Sequence, residues 1–394
     1  MSYRFTQTDL DYLRSDVGKH ALAQFTGLAI DDRSMLADLT KVRKHTADHG
    51  TAVVETIRLR RRAIAKLGAR SATWLLTDEA LQQASPEPVA AHRARRLTGL
   101  AIHDVTCSIG ADLVHLSRTA SVAIGSDLHP IRAQMAAFNM ATTGERAEIV
   151  VADALVPVSR GLLPYADPAR RDGAGRRILS ADTVPRVADL DEVWAHRPPV
   201  LRVPPGIDYE ALARPGEVEI VSLDGSAREA VLWPQELARV ARRATVLLSG
   251  GEGYELTSDD SDDIPVAPVG AWIVDPDAAV VRSHLVRHFA ARHGLWQLDP
   301  HLAYLTGNLP PRVGRAFKVL DSAPYSERTV GEWLQKDGAG TVEIKVRGVD
   351  IEPDALRVRL RKYLTGPKSV DRTIVLARVG RNSMAYLTLA ALAP

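Results

Sequence analysis

The sequence predicts an α/β protein whose central domain is a parallel β-sheet covered by helices. Three short apolar runs, at 100–104, 122–127 and 148–153, each end in an aspartate, and helical patterns at 112–120 and 130–143 separate them. Strands and helices that alternate with short connections form right-handed β-α-β units, and such units build a parallel sheet. Segments of different character precede and follow this pattern.

Three segments follow one another along the chain. Residues 1–99 carry apolar side chains at three- and four-residue spacing, as at 34–48 and 51–68, which is typical of helices. Residues 100–310 continue the alternation of strand and helix, whereas residues 311–394 show the order β-α-β-α-β-β. We therefore predict a helical N-terminal region, a parallel-sheet domain and a small C-terminal α+β domain.

The remaining elements are predicted from the same two periodicities. Within the central domain, we expect strands at 162–167, 218–223, 245–250 and 270–274, and helices at 226–243 and 277–293. Within the C-terminal domain, we expect strands at 315–321, 341–347, 372–379 and 383–390, and helices at 327–336 and 353–364.

The composition bounds the classes of protein that fit the chain. Hydrophobic residues make up 45% and charged residues 25% of the 394 residues, which is the balance of a soluble globular protein. No apolar run approaches the length of a membrane span, and Met1–Thr6 lacks the pattern of a signal peptide. The single cysteine, Cys107, excludes an intramolecular disulfide and a cysteine-rich zinc site. We expect a cytoplasmic protein without membrane or metal partners.

The net charge of +2 conceals an asymmetry between segments. Residues 1–99 hold 16 Lys and Arg against 11 Asp and Glu, and residues 311–394 hold 15 against 9. The central residues 100–310 hold 19 against 28. Basic flanks around an acidic centre suit a polyanionic partner that is bound away from the reaction centre, although surfaces that merely differ in charge would look the same.

The segment from Asp104 to Asp112 is the strongest candidate for a ligand-binding loop. The chain leaves a strand, turns through the small residues Cys107, Ser108 and Gly110, and enters a helix. Small residues let a ligand approach the backbone, and the N-terminus of the helix offers free N–H groups to polar ligand atoms.

Two further acids strengthen this interpretation. Asp127 ends the second strand, 17 residues after Gly110, where a carboxylate can accept both ribose hydroxyls of a nucleotide. Asp153 ends the third strand, where it can meet an adenine edge. Ligands bind at the carboxyl ends of the strands in open α/β sheets, although helix caps and turns also place acids at such positions.

The motif Asp104-Val-Thr-Cys-Ser-Ile-Gly-Ala-Asp112 resembles the first motif of class I S-adenosylmethionine-dependent methyltransferases. Asp127 and Asp153 fall where the second and third motifs of that family place acids. The resemblance implies a Rossmann-like fold and S-adenosylmethionine as cofactor. The implied cofactor-binding residues are Asp104, Thr106, Ser108, Gly110, Asp112, Asp127 and Asp153. Ser108 departs from the family, which usually has glycine there.

More closely, the chain resembles bacterial methyltransferases with a C-terminal THUMP-like domain, which are distant relatives of trimethylguanosine synthase. The stretches that carry this resemblance are Asp167–Arg171, Pro205–Asp208, Gly294–Pro300 and Glu343–Asp350. The resemblance covers nearly the whole chain. It implies that residues 311–394 form the THUMP-like domain and favours contact with RNA.

The second chemical motif, Tyr165-Ala-Asp167-Pro168-Ala169-Arg170-Arg171, follows the fourth strand. It resembles the motif of amino-group methyltransferases, in which an acid or amide orients the amine and an aromatic side chain stacks on the base. Asp167 and Pro168 match that motif, but Ala169 and Arg170 do not, so the aromatic residue is missing from its usual place. Methyl transfer needs positioning and a proton acceptor, for which Asp167 is the best candidate. An ordinary Asp-Pro turn is the alternative.

Three groups of cations are candidate RNA contacts. They are Arg170 and Arg171 beside Asp167, Arg60, Arg61 and Arg62 in the helix 51–68, and Arg359 and Lys362 in the helix 353–364. Recognition by such residues would use the shape and backbone of the RNA. A solvated helix face or loop is the alternative for each group.

These observations predict an RNA methyltransferase that acts on a base nitrogen of a structured RNA such as tRNA or rRNA. Ser108 and the incomplete motif after Asp167 leave a second hypothesis open, a catalytically weak or inactive RNA-binding scaffold that retains the fold. A small-molecule methyltransferase is the third. His284, His288 and His293 follow no zinc-binding spacing, so no metal site is predicted.

Overall fold

A computed structural model describes residues 3–168 and 183–390. The chain folds as two compact units, one formed by Met1–Glu217 with Arg228–Ala238 and the other by Val218–Ala227 with Arg239–Pro394. This division differs from the three predicted segments. The N-terminal helices belong to the same unit as the first parallel strands, because the two share one hydrophobic core.

Six helices form the N-terminal part of the first unit. They are α1 (Gln7–Arg14), α2 (Asp16–Phe25), α3 (Met35–Thr46), α4 (Gly50–Leu67), α5 (Asp78–Gln83) and α6 (Glu87–Arg96). The helices predicted at 34–48 and 51–68 are confirmed as α3 and α4. Buried Leu10, Ile57 and Trp74 pack in one cluster with Leu113 and Met135 of the sheet domain.

A buried asparagine also joins the N-terminal region to the sheet domain. The Asn139 Oδ1 atom accepts a hydrogen bond from the Leu75 N–H at 2.7 Å. The Nδ2 group of Asn139 donates to the carbonyl oxygens of Leu75 and Ile109, each at 2.9 Å. A buried amide group is costly unless all of its hydrogen bonds are made. These contacts therefore hold the backbone at Leu75, the backbone at Ile109 and the side chain of Asn139 in one arrangement.

The sheet of the first unit is parallel across its first five strands. They are β1 (Ala101–Asp104), β2 (Val122–Asp127), β3 (Glu148–Val151), β4 (Leu163–Ala166) and β5 (Val200–Val203), and the helices between them are α7 (Ala111–Thr119), α8 (Pro130–Thr143) and α9 (Val187–Val193). Their order is β3-β2-β1-β4-β5. The direction of winding reverses at β1, and the crevice at such a reversal is where α/β sheets bind ligands.

The helix predicted at 226–243 is wrong. This stretch forms β7 (Ser226–Pro234) and the start of β8 (Arg242–Leu248), while β6 (Gly216–Leu223) precedes it. β7 pairs antiparallel with β5, with Leu232 opposite Leu201. Residues 229–234 of β7 are buried without interruption, so burial on both faces of a sheet outweighs the helix propensity of its Ala, Glu and Leu residues.

The second unit begins with β6 and β8, which are parallel, and β9 (Gly251–Thr257), which is antiparallel to β8. The elements that follow are β10 (Trp272–Asp275), α10 (Ala278–Arg282), α11 (Val286–His293), β11 (Trp296–Gln297) and β12 (Leu305–Gly307). The single helix predicted at 277–293 is therefore two helices. The break includes His284, whose φ of +59° does not continue an α-helix.

The C-terminal domain has the predicted order of elements. They are β13 (Arg315–Pro324), α12 (Glu327–Lys336), β14 (Thr341–Arg347), α13 (Pro353–Leu360), β15 (Asp371–Val379) and β16 (Asn382–Ala390). The sheet order is β11-β12-β10-β13-β16-β15-β14, and β14 pairs parallel with β15. The predicted mixed α/β fold class is thus confirmed. No helix within the described ranges is long and apolar enough to cross a membrane.

Candidate functional site

The loop after β1 is a tight turn that is held by its own backbone. The buried Asp104 accepts a hydrogen bond from the Thr106 N–H at 3.2 Å. The Cys107 N–H donates to the Ser126 carbonyl oxygen at 2.8 Å, and the Gly110 N–H donates to the Cys107 carbonyl oxygen at 2.7 Å. The loop is therefore fixed to β2 before α7 begins.

Gly110 has a conformational reason for being glycine. Its φ is +80°, and an added Cβ would lie 3.3 Å from the Cβ of Ala136 in α8. Both the left-handed backbone and the close approach of α8 favour a residue without a side chain. The first turn of α7 thus lies tightly against the neighbouring helix.

Ser108 and Asp127 are brought together. The Ser108 N–H donates to Asp127 Oδ2 at 3.0 Å, while Asp127 Oδ1 accepts from the His129 N–H at 2.8 Å. Ser108 has a φ of +51°, a left-handed conformation that glycine adopts most easily. This explains in physical terms why glycine suits the position and shows that serine takes up the same turn.

Asp153 follows β3 and is exposed. Its Oδ1 atom accepts a hydrogen bond from the Leu155 N–H at 2.9 Å, which closes the turn after the strand. Since β1, β2 and β3 are parallel neighbours, Asp104, Asp127 and Asp153 follow strand ends along one edge of the sheet. Their proposed roles in cofactor binding remain predictions.

Asp167 follows β4 and lies beside the loop after β1. Its backbone N–H donates to the Thr106 Oγ1 atom at 2.7 Å, and the next residue, Pro168, is buried. About a quarter of the Asp167 side chain (28%) is exposed. Arg170 and Arg171 lie outside the described residues, so their predicted contacts stay predictions.

Behind Asp167 lies a network of buried charges that we call the charge cluster. Its members are Arg93 of α6, Asp112 of α7, Asp167, Arg202 of β5 and Glu229 of β7. The Nη2 atom of Arg93 lies 2.6 Å from Asp112 Oδ1, and its Nη1 atom pairs with Glu229. Arg202 pairs with Asp167, and its Nε atom lies 3.0 Å from Glu229 Oε2. The cluster thus connects Asp167 to α7, the helix that the sequence predicts at the cofactor-binding loop.

The carboxylates of this region differ in the direction in which burial and ion pairing shift their pKa. Burial raises the pKa of Asp104 well above its usual range, which favours its neutral form. Burial also favours neutral Asp112, but Arg93 and Arg202 outweigh it and lower the pKa of Asp112. Burial raises the pKa of Asp167, and Arg202 opposes this shift.

Sequence reasoning missed three members of the charge cluster. Glu229 falls within the stretch that is predicted as a helix, and Arg93 stands close to Arg95 and Arg96, where nothing in the sequence distinguishes a buried arginine from a solvated one. Arg202, however, stands inside the apolar run Val200-Leu-Arg-Val203. A charged residue within a fully buried strand requires a buried partner, which was the available indication of this network.

Arg60, Arg61 and Arg62 of α4 make contacts within the first unit. Arg60 donates to the carbonyl oxygens of Thr73 at 2.6 Å and Trp74 at 2.8 Å. Arg61 donates to the carbonyl oxygens of Thr26 at 2.6 Å and Ala29 at 2.7 Å, and Arg62 pairs with Asp78. These contacts give the three arginines a structural role that competes with the predicted RNA contact.

The two cations predicted in the C-terminal domain are exposed. The Nε atom of Arg359 lies 2.8 Å from Glu327 Oε2. Lys362 lies in a short 3₁₀ turn, Arg361–Tyr363, that follows α13, and its Nζ atom lies 5.0 Å from the centre of the Tyr363 ring. Among the residues that the structure describes, no group of three or more His, Cys, Asp or Glu side chains could hold a metal ion.

The parallel sheet, the glycine turn and the acids at the strand ends together define an α/β domain of the nucleotide-cofactor type. Two proteins of Mycobacterium tuberculosis, from strains CDC 1551 and H37Rv, are described as uncharacterized S-adenosylmethionine-dependent methyltransferases. Each is 45% identical to the chain over 357 residues, which cover 88% of the chain and 98% of the relative. The chain therefore belongs to the S-adenosylmethionine-dependent methyltransferases, and S-adenosylmethionine is its cofactor.

Further comparisons extend over both ends of the chain. Residues 314–390 match the family described as THUMP domain-like, and residues 6–63 match a domain of unknown function (DUF8688). The crystal structure of a putative methyltransferase from Porphyromonas gingivalis W83 shares 20% sequence identity with a TM-score of 0.73. It covers 99% of this chain and 100% of its own, so the two proteins have the same fold.

Proposed function

We propose that the protein transfers a methyl group from S-adenosylmethionine to a base nitrogen of a structured RNA. The observation that carries this proposal is the hydrogen bond of 2.7 Å from the Asp167 N–H to Thr106 Oγ1. It fixes a partly exposed carboxylate next to the loop where the methyl donor is expected. A carboxylate in that place can orient the N–H group of an acceptor base.

The residues at the sheet edge fit the chemistry of the cofactor. Asp127 would accept the ribose hydroxyls, because each of its oxygens already accepts one backbone N–H and retains a further lone pair. The neighbouring Leu128 is 69% exposed and offers an apolar surface to adenine. Asp153 would meet the edge of the adenine ring, and Gly110 would admit the methionine portion to the first turn of α7.

The proposed chemistry asks for orientation and for a proton acceptor. Bound S-adenosylmethionine would supply an electrophilic methyl group to the lone pair of the acceptor nitrogen and would leave as S-adenosylhomocysteine. Asp167 accepts a hydrogen bond from the acceptor N–H and receives its proton as positive charge develops on nitrogen. A raised pKa makes Asp167 a better proton acceptor than an ordinary aspartate.

The C-terminal domain supports RNA as the substrate. Its match to the THUMP domain-like family coincides with an excess of six positive charges over residues 311–394. The exposed Arg359 and Lys362 would meet the RNA backbone there. Arg60, Arg61 and Arg62 are left out of the proposed RNA surface because their donors are engaged within the protein.

Tritium transfer from labelled S-adenosylmethionine into total RNA, protein and small-molecule fractions tests the proposal. We expect label in RNA with the wild type and a rate about 10²–10⁴ times lower with Asp167→Asn, the usual contribution of a positioned proton acceptor. Label found only in the small-molecule fraction would show that the substrate is a small molecule and not RNA.

The RNA-binding scaffold is the second candidate. Ser108 favours it, because its side chain, at a φ of +51°, leaves a cofactor less room than glycine would to approach the backbone of the loop. Binding of RNA that weakens with salt, without transfer of label to any fraction, would favour the scaffold over the enzyme. Ser108→Gly tests this point directly, since restored transfer in that variant would identify Ser108 as the residue that limits catalysis.

A further inference from the structure

The guanidinium group of Arg202 contacts three different groups, one of which is the Asp167 carboxylate. Its Nη1 atom pairs with Asp167 Oδ2, its Nε atom donates to Glu229 Oε2 at 3.0 Å, and its Nη2 atom donates to the Gln83 carbonyl oxygen at 3.0 Å. Arg202 is 5% exposed, so bulk water does not compete for these contacts. Three contacts at three nitrogens fix the plane of the guanidinium group and thereby the carboxylate that it holds.

The charge cluster contains one more carboxylate than arginine. Its two arginines face three carboxylates, and Asp167 is the most exposed of the five side chains. A cationic ligand therefore reaches Asp167 more easily than Asp112 or Glu229.

We propose that Arg202 is the positioning residue of the methyl-transfer site: it keeps Asp167 in one orientation and in its charged form. The inference rests on the proposed function, which places Asp167 at the acceptor nitrogen. An aspartate without this partner would sample several rotamers and would be protonated in a buried setting. Arg202 prevents both and engages Oδ2, which would leave Oδ1 for the ligand.

A purely structural arginine offers a matched control. Arg214 is also largely buried, and its Nε atom lies 3.0 Å from both carboxylate oxygens of Asp191. It donates to the carbonyl oxygen of Leu232 at 3.2 Å. Its contacts resemble those of Arg202 in kind, but they do not include Asp167.

The test uses two cofactor analogues and needs no RNA. Sinefungin carries an ammonium group in place of the methyl sulfonium centre, whereas S-adenosylhomocysteine carries neither the methyl group nor the charge. Calorimetry at pH values from about 4.5 to about 8.5 gives the dissociation constant of each analogue. The ratio of the two constants, which we call the preference for sinefungin, follows the ionisation of Asp167. Besides Arg202, the ionisable groups in the described part of the chain that face Asp167 are Arg93, Asp104, Asp112, Tyr165 and Glu229. Asp167→Asn separates their titration from that of Asp167.

We expect the wild type to lose its preference for sinefungin as the pH falls, and we expect Asp167→Asn to show no such change. Arg202→Met should move the midpoint to higher pH by about 1–3 units, the usual effect of removing a neighbouring cation. Arg202→Lys, which keeps the charge but loses the forked geometry, should move it less and in the same direction. Arg214→Met should leave the midpoint where it is in the wild type.

Two results would overturn the proposal. They are a pH dependence of the sinefungin preference in the Arg202 variants that equals that of the wild type, and a shift in Arg214→Met that equals the shift in Arg202→Met. Circular dichroism checks folding, and Arg202→Lys decides the matter if Arg202→Met does not fold. Absence of methyl transfer into RNA would refute the proposed substrate but would not alter this titration, so the two failures are distinguishable.

Discussion

Replacing Asp127 by alanine should weaken binding of S-adenosylhomocysteine. The Asp127 carboxylate lies at the end of β2 and accepts backbone hydrogen bonds from Ser108 at 3.0 Å and His129 at 2.8 Å. Its proposed bonds to the ribose hydroxyls are charge-assisted, and the loss of such a bond costs about 1.5–3 kcal/mol. That corresponds to a dissociation constant roughly 10–150 times higher.

Isothermal titration calorimetry with purified protein measures this change. Asp127→Asn is the conservative variant, because it keeps one carbonyl oxygen and the shape of the side chain, and it should lose less affinity. Asp153→Ala removes an exposed carboxylate and should cost about 1 kcal/mol or less. If Asp127→Ala bound the ligand as tightly as the wild type in a folded protein, the assignment of the ribose contact would be refuted.

Three further predictions concern stability, and urea denaturation measures all of them. Arg93→Met leaves the buried Glu229 without one of its partners, so the free energy of unfolding should fall by about 3–5 kcal/mol, and a loss below about 1 kcal/mol would contradict the charge cluster. Gly110→Ala and Gly144→Ala both place a side chain at positive φ, +80° and +74°, which costs about 1–2 kcal/mol. Only Gly110 faces a neighbouring helix, so its variant should be the less stable of the two, and equal losses would argue against close packing there. Burial lowers the pKa of His103 from 6.5 to about 4. The unfolded chain therefore binds more protons than the folded one between these values, and stability should fall by up to about 3 kcal/mol as the pH drops from about 6.5 to about 4. His103→Gln should flatten that dependence, and an unchanged slope would show that His103 does not cause it.

Several of the elements that the sequence predicts correctly have a local pattern that agrees with their burial. In the C-terminal domain, all six predicted elements from β13 to β16 occur in order. β14 alternates apolar and polar residues, and α12 repeats its apolar residues at helical spacing, so both show the period of their own structure. Asp104 and Asp127 end β1 and β2 as predicted, because strand ends and turns have local patterns. The roles of these two residues and of Asp167 in binding stay predictions.

The failures arise where long-range pairing decides the structure. β7 carries residues that favour a helix, but β5 lies beside it and provides a ladder of hydrogen bonds. The charge cluster joins α6, α7, β5 and β7, which are far apart in the sequence, so no local pattern reveals which charges meet. In α4, Arg60 and Arg61 donate to backbone carbonyl groups, which the basic run itself does not indicate, and the predicted RNA contact of this run stays a prediction.

The shared core of the N-terminal helices and the sheet domain has a consequence for synthesis. Trp74 and Leu75 reach their final environment only when Met135 and Asn139 of α8 are available. Translation at about 5–20 residues per second delays α8 by several seconds after these residues are made. During that interval, the emerging chain exposes apolar side chains that would be buried at once if the N-terminal region were a separate domain. The first hundred residues therefore present exposed apolar side chains to the ribosome and to chaperones until α8 is synthesised and packs against them.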